Sequence, residues 1–163
     1  MTAKLKLRQL ETALHGVETF DEPKVLLEQY PTRPHIAACI LHTIQTSYGG
    51  LDDRIVADLG CGAGVLSIGA RLLGARAVIG FDIDPDAIEV AKRNLEEFGL
   101  NTEEDRDGFC DLVLTDVVQT FTPLFNSKCD KGHKPAASSQ FSGVFDTIVM
   151  NPPFGTKHNR GLG

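Results

Sequence analysis

The chain has 163 residues, 42% of them hydrophobic and 23% charged, and a formal net charge of −6. That is enough length for one domain with a real core, with the composition of an ordinary globular protein. The acidic balance argues against a generic nucleic-acid binder, leaving room for a local basic surface or an RNA contact made through a partner, and no apolar run approaches 18 residues, so no membrane partner is expected.

Taken in chain order, Lys4 to Val17 places Leu7, Leu10 and Leu14 at helical spacing, interrupted by Lys6 and Arg8. The pattern predicts an amphipathic surface helix. Asp21-Glu22-Pro23 reads as the start of a second helix, with Pro23 in its first turn. Tyr30-Pro31-Thr32-Arg33-Pro34 is a break, because a residue before proline is pushed to extended geometry. A third helix is expected from His35 to Ser47, ended by Gly49-Gly50.

An alternating pattern follows. Arg54 to Leu59 predicts a strand, Val65 to Leu73 a helix and Ala77 to Ile83 a second strand. Pro85 to Phe98 predicts a helix, capped by Asp84 with Pro85 at the first helical position. Asp111 to Val117 and Phe145 to Met150 are the third and fourth strand candidates. This alternation implies parallel strands joined by crossover helices, an α/β doubly wound, mainly parallel sheet. The whole chain, 1–163, reads as one domain: a helical segment over 1–50 and a sheet-bearing core over 51–163. Two stretches look like loops: the acidic 101–108, and 119–143, which is long for a connection inside a domain.

The cysteines Cys39, Cys61, Cys110 and Cys129 include no Cys-x-x-Cys pair and no zinc-like spacing with histidine. They read as scattered thiols of a reducing compartment, and no metal site is expected.

The first strand ends in Asp58-Leu59-Gly60-Cys61-Gly62-Ala63-Gly64. Glycines there permit a tight turn and close approach of a ligand to the backbone. The spacing is Gly-x-Gly-x-Gly, not the Gly-x-Gly-x-x-Gly of the dinucleotide fingerprint. Asp58 suits a cofactor that carries an ammonium and a sulfonium, and it would repel a pyrophosphate. Asp82 lies 22 residues after Gly60, where an open parallel sheet places a carboxylate that accepts from ribose hydroxyls. A second capping role for Asp82 is the alternative. Asp116 could accept from an adenine amino group or serve as an ordinary turn aspartate; both stay open.

The fourth strand candidate runs into Asn151-Pro152-Pro153-Phe154-Gly155. Two prolines cannot continue a central strand, and they fix the direction of the carbonyls. The Asn151 side-chain oxygen and the Pro152 carbonyl can then accept two hydrogen bonds from one planar amino group. An amine on an aromatic base is a poor nucleophile, because its lone pair is delocalised into the ring. Holding both hydrogens makes that pair more available. Phe154 offers a flat surface for stacking, and a base buried in a stem would first be extruded. A rigid proline turn is the alternative; the glycine turn and Asp82 upstream, in that order, weigh against it.

With Glu28-Gln29-Tyr30-Pro31-Thr32-Arg33-Pro34-His35 and Phe81-Asp82-Ile83-Asp84, these segments resemble the eukaryotic family of 18S ribosomal RNA adenosine N6-methyltransferases. The resemblance covers most of 4–117 and 144–159. It implies a Rossmann-like class I methyltransferase fold and S-adenosylmethionine as cofactor. It further implies that Gln29 and Thr32 close over the methionine part, and that Gly60, Gly62, Ala63 and Val65 line it from the turn. By the same resemblance Asp82 and Ile83 hold the ribose, Asp116 and Val117 contact the adenine, and Asn151, Pro152, Pro153 and Phe154 hold the target adenosine. The implied partners are ribosomal RNA and a small zinc-containing activator protein that adds to the sheet; the implied localisation is the nucleus, with its nucleolus, and the cytoplasm. An apolar third strand at an open sheet edge invites such pairing.

Two features depart from the family. The 119–143 stretch is longer than expected, and its Lys128, Lys131, His133 and Lys134 could touch RNA phosphate or lie on a solvated loop. The chain stops at Gly163, just past the proline segment, so the C-terminal strands are missing and a truncated domain is expected. Rival readings are a methyltransferase for another planar amino group (DNA adenine or protein glutamine) and an inactive truncated module that only binds a partner. A dinucleotide-dependent oxidoreductase is disfavoured by the glycine spacing.

Overall fold

The computed structural model describes residues 5–20, 22–24, 27, 29–100, 108–118, 120–121 and 143–152. Two helices precede the sheet: α1 over Leu7–Leu14 and α2 over Pro34–Tyr48. They lead into β1 (Ile55–Leu59), α3 (Val65–Leu72), β2 (Ala77–Asp82), α4 (Pro85–Glu97), β3 (Phe109–Leu114) and β4 (Thr147–Met150). All described strand pairs are parallel, in the order β3-β2-β1-β4. The doubly wound α/β reading therefore holds.

The register sets where a ligand can sit. Leu59 lies opposite Phe81 on one side and Met150 on the other. The carboxyl ends of β1, β2 and β4 are thus level. From β1 the chain goes out to β2 and β3, and then returns to the other side of β1 as β4. The crevice at that reversal is where open parallel sheets bind ligands.

Capping explains the helix limits. Lys6 N–H donates to Gln9 Oε1 at 2.9 Å to start α1. Asp84 Oδ1 accepts from Asp86 N–H at 3.2 Å to start α4, with Pro85 at its first position, as expected. Gly49, at φ 59, ends α2 in the left-handed region, where glycine carries no steric cost.

α1 is the amphipathic surface helix that the sequence predicts, with its polar side turned outward and Leu10 and Leu14 fully buried. They join the core formed with Leu41 of α2 and Ile68 of α3, each worth about 1.5–3 kcal/mol of transfer free energy. Gly69 permits this approach, because a Cβ there would collide with Leu41 Cδ1.

Two boundaries differ from expectation. The helix expected from Pro23 falls partly on residues outside the described ones; Leu27 N–H donates to Lys24 O at 3.0 Å. Side-chain bonds to α4, described below, hold Lys24 and Gln29. The third strand is Phe109–Leu114, not 111–117. After Thr115 N–H donates to Asp82 O at 2.7 Å, the Asp116 side chain takes the Val118 N–H at 2.8 Å and turns the chain away. The fourth strand begins at Thr147, because Asp146 Oδ2 accepts from Ile55 N–H at 2.8 Å and takes the place of a backbone partner. Of the 119–143 loop, only 120–121 and 143 are described, so Lys128, Lys131, His133 and Lys134 lie outside the described residues. β3 is at the sheet edge, as expected, with Phe109 and Leu114 exposed.

Candidate active site

A cavity of about 540 Å³ opens at the carboxyl ends of the strands, a size typical of small-molecule sites. The glycine turn forms its floor. Gly60 N–H and Cys61 N–H both donate to Phe81 O, at 2.8 and 2.9 Å, which ties the turn to β2. Gly60 (φ 73), Gly62 (φ 54) and Gly64 (φ 85) all adopt left-handed geometry, which side chains resist. A Cβ on Gly60 would meet no protein atom within 4 Å. It would project into open space at a residue that lines the cavity.

Of the expected cofactor residues, Gln29, Thr32, Gly60, Gly62, Ala63, Val65, Asp82, Ile83, Asp116 and Val117 all line this cavity, together with Asn151. Asp58 does not. It is fully buried below the turn, where Ser67 Oγ donates to its Oδ2 at 2.7 Å. Its other oxygen, Oδ1, is buried with no hydrogen-bond partner. Burial pushes the Asp58 carboxyl up to about 6, against the opposing Ser67 hydrogen bonds and with a contribution from the Asp82 charge. Pro152 is exposed and is not on the cavity wall. Pro153 and Phe154 lie outside the described residues.

Asp82 serves the scaffold as well as the cavity. Its Oδ2 accepts from Gly62 N–H at 2.8 Å and its Oδ1 from Asp84 N–H at 3.0 Å. Each carboxylate oxygen keeps a further lone pair, so acceptance from a ligand hydroxyl stays available. Asp116 likewise lines the cavity and caps its own turn.

The N-terminal strap closes the cavity from the side. Lys24 Nζ lies 2.6 Å from both Asp84 Oδ1 and Asp86 Oδ2. Gln29 Nε2 donates to Asp84 Oδ2 at 2.5 Å, and Gln29 Oε1 accepts from Lys24 N–H at 2.9 Å. The Gln29 amide thus has both its oxygen and its nitrogen engaged within the protein. At the other end of the strap, Asn94, fully buried on α4, accepts from Glu18 N–H at 2.9 Å. It donates to Glu18 O at 3.0 Å and to Ala63 O at 2.9 Å. Sequence reasoning missed Asn94, and also Thr19 and Phe20, which line the cavity. Their partners are remote in sequence, and no spacing signals them.

The charge of the wall decides among ligands. Its charged side chains, among the described residues, are Asp82 and Asp116, with Asp58 beneath. Among the described residues, no lysine, arginine or histidine lines it. A pyrophosphate would be repelled, whereas a sulfonium and an ammonium would be attracted. The acidic wall and the open space above Gly60 fit such a cationic cofactor. No cluster of metal-binding side chains occurs among the described residues.

Residues 36–147 match the family profile described as ribosomal protein L11 methyltransferase (PrmA). The rRNA N(6)-adenosine-methyltransferase of Danio rerio is 47% identical over 158 residues, 97% of this chain and 65% of that protein. The protein of the same name in Drosophila melanogaster is 46% identical over 160 residues, 98% of this chain and 64% of that one. A crystal structure from Pyrococcus horikoshii, described as that of a proposed RNA methyltransferase, superposes with a TM-score of 0.67 at 36% identity. The match covers 93% of this chain and 63% of that one. The chain thus spans slightly less than two thirds of the length of these relatives.

Proposed function

The chain belongs to the ribosomal protein L11 methyltransferase (PrmA) family of methyltransferases, and from that premise we propose that it binds S-adenosylmethionine and methylates N6 of an adenosine in small-subunit (18S) ribosomal RNA. One observation carries the reading: the Asn151 amide and the Asp82 carboxylate wall one cavity whose charged lining is acidic. The names of the zebrafish and fly relatives support the choice of an rRNA adenosine.

In this mechanism S-adenosylmethionine supplies a methyl group made electrophilic by the sulfonium charge. Asp82 would accept from the ribose hydroxyls, and Asp58 and Asp116 would balance positive charge from below and beside. Asn151 Oδ1 and the Pro152 carbonyl would accept the two hydrogens of the adenosine amine. That would turn the lone pair out of conjugation toward the methyl group; as nitrogen takes the methyl from sulfur, the cofactor would leave as the neutral thioether and the amine would lose one proton to water. Asp82→Ala is expected to abolish cofactor binding, and Asn151→Ala to abolish transfer while leaving cofactor bound. Calorimetry and detection of N6-methyladenosine in treated rRNA test both. Undiminished RNA methylation by Asn151→Ala would sink the mechanism.

The family description favours a second substrate, an amino group of a ribosomal protein. Labelled methyl transfer to protein but not to RNA in the same assay would decide for it. We further propose that a zinc-containing activator pairs with the exposed edge of β3, and that the enzyme works in the nucleus and cytoplasm where ribosomal RNA is made and used.

A further inference from the structure

Asn151 and Thr32 are 119 residues apart in sequence, yet Asn151 Nδ2 donates to Thr32 Oγ1 at 2.9 Å, and both residues line the cavity. Asn151 comes directly after β4, opposite the end of β1. Thr32 comes just before α2, held in place by Pro31 and Pro34 on either side of it and Arg33. Both backbones are therefore restrained close to the contact, so the pair is set by the fold.

An asparagine amide is nearly symmetric in shape and opposite in chemistry at its two ends. To receive an amino group it must present oxygen and withhold nitrogen. Nothing in the amide itself sets that polarity; a neighbour must. A hydroxyl that accepts from Nδ2 does so, and it keeps its own proton to donate elsewhere in the cavity. We propose that Thr32 is a positioning residue for the methyl transfer. It fixes the Asn151 amide with Oδ1 toward the substrate amine. This rests on the reading of the cavity given above.

The test compares Thr32→Val, which keeps shape and removes the hydroxyl, with Thr32→Ser, which restores it. Measured on the full chain are kcat and KM for rRNA and the NMR signal of the Asn151 side-chain amide. Thr32→Val is expected to lower kcat about tenfold, the scale of one lost hydrogen bond. It should also shift the Asn151 amide signal. Thr32→Ser should restore both. An unchanged Asn151 signal and kcat in Thr32→Val overturn the proposal, as does failure of Thr32→Ser to rescue them. If the wild-type chain transfers no methyl group to rRNA, the substrate assignment fails. The Asn151 signal still decides whether Thr32 holds the amide.

Discussion

Ser67 Oγ donates to Asp58 Oδ2 at 2.7 Å beneath the glycine turn, leaving Asp58 Oδ1 buried and unpartnered. Burial, opposed by this hydrogen bond, raises the carboxyl from 3.8 to about 6. The folded state therefore holds the Asp58 proton more tightly than the unfolded chain does. Its contribution to stability is greatest below about 3.8 and falls as pH rises through about 6. Asp58→Asn keeps an oxygen for Ser67 and removes the charge. Its stability relative to wild type is expected to rise across that window by on the order of 1–3 kcal/mol. Urea unfolding of both proteins at each end of the window measures it. Asp84 works the other way: desolvation pushes it up, but hydrogen bonds from Lys24 and Gln29 win and lower it. Its contribution is lost as pH falls through its folded value, and it cancels between the two proteins.

Removing the Asn94 amide leaves the Ala63 carbonyl without its donor in a buried site, and the Glu18 carbonyl in a part-buried one. Asn94→Leu, similar in volume, is expected to cost about 2–4 kcal/mol. It should also weaken cofactor binding, because Ala63 belongs to the floor of the cavity. Chemical denaturation and calorimetry measure the two effects, and a stability loss with unchanged affinity would contradict the second.

Lys24 is pulled upward in pKa by its hydrogen bonds to Asp84 and Asp86. Lys24→Ala is expected to leave the global transition nearly unchanged, because exposed ion pairs contribute little. Cofactor should leave several times faster, since the strap loses its tie to α4. Stopped-flow displacement measures that rate. Wild type should approach the rate of Lys24→Ala as salt screens the pair.

At Gly60 a side chain is opposed by backbone geometry, at φ 73, and by the ligand space above it. Gly60→Ala is expected to cost about 1–2 kcal/mol of stability from the left-handed conformation. It should lower cofactor affinity by tenfold or more. Loss of affinity no greater than the loss of stability would show that the turn does not touch the ligand.

The strand and helix alternation, the glycine turn and Asp82 were legible because each is a local pattern. Apolar runs, a capping Asp84 before Pro85 and a fixed glycine spacing need no distant partner to be recognised. The strap was not legible. Asp21-Glu22-Pro23 carries a genuine helix-start signal, but Lys24 and Gln29 bond to Asp84, 60 and 55 residues away. Asp58 was correctly placed near the turn, yet nothing local says that Ser67 would take one oxygen from below. Asn94 looks like any polar residue on a helix; its partners at 18 and 63 make it a hub. The polarity of the Asn151 amide was likewise invisible without Thr32.

Helix α4 holds the strap at two points: Asn94 grips Glu18, and Asp84 grips Lys24. Those two helix positions are about 15 Å apart at 1.5 Å rise per residue. The helix therefore works as a two-point clasp: a change at either grip should loosen one end of the segment while the other end stays fastened.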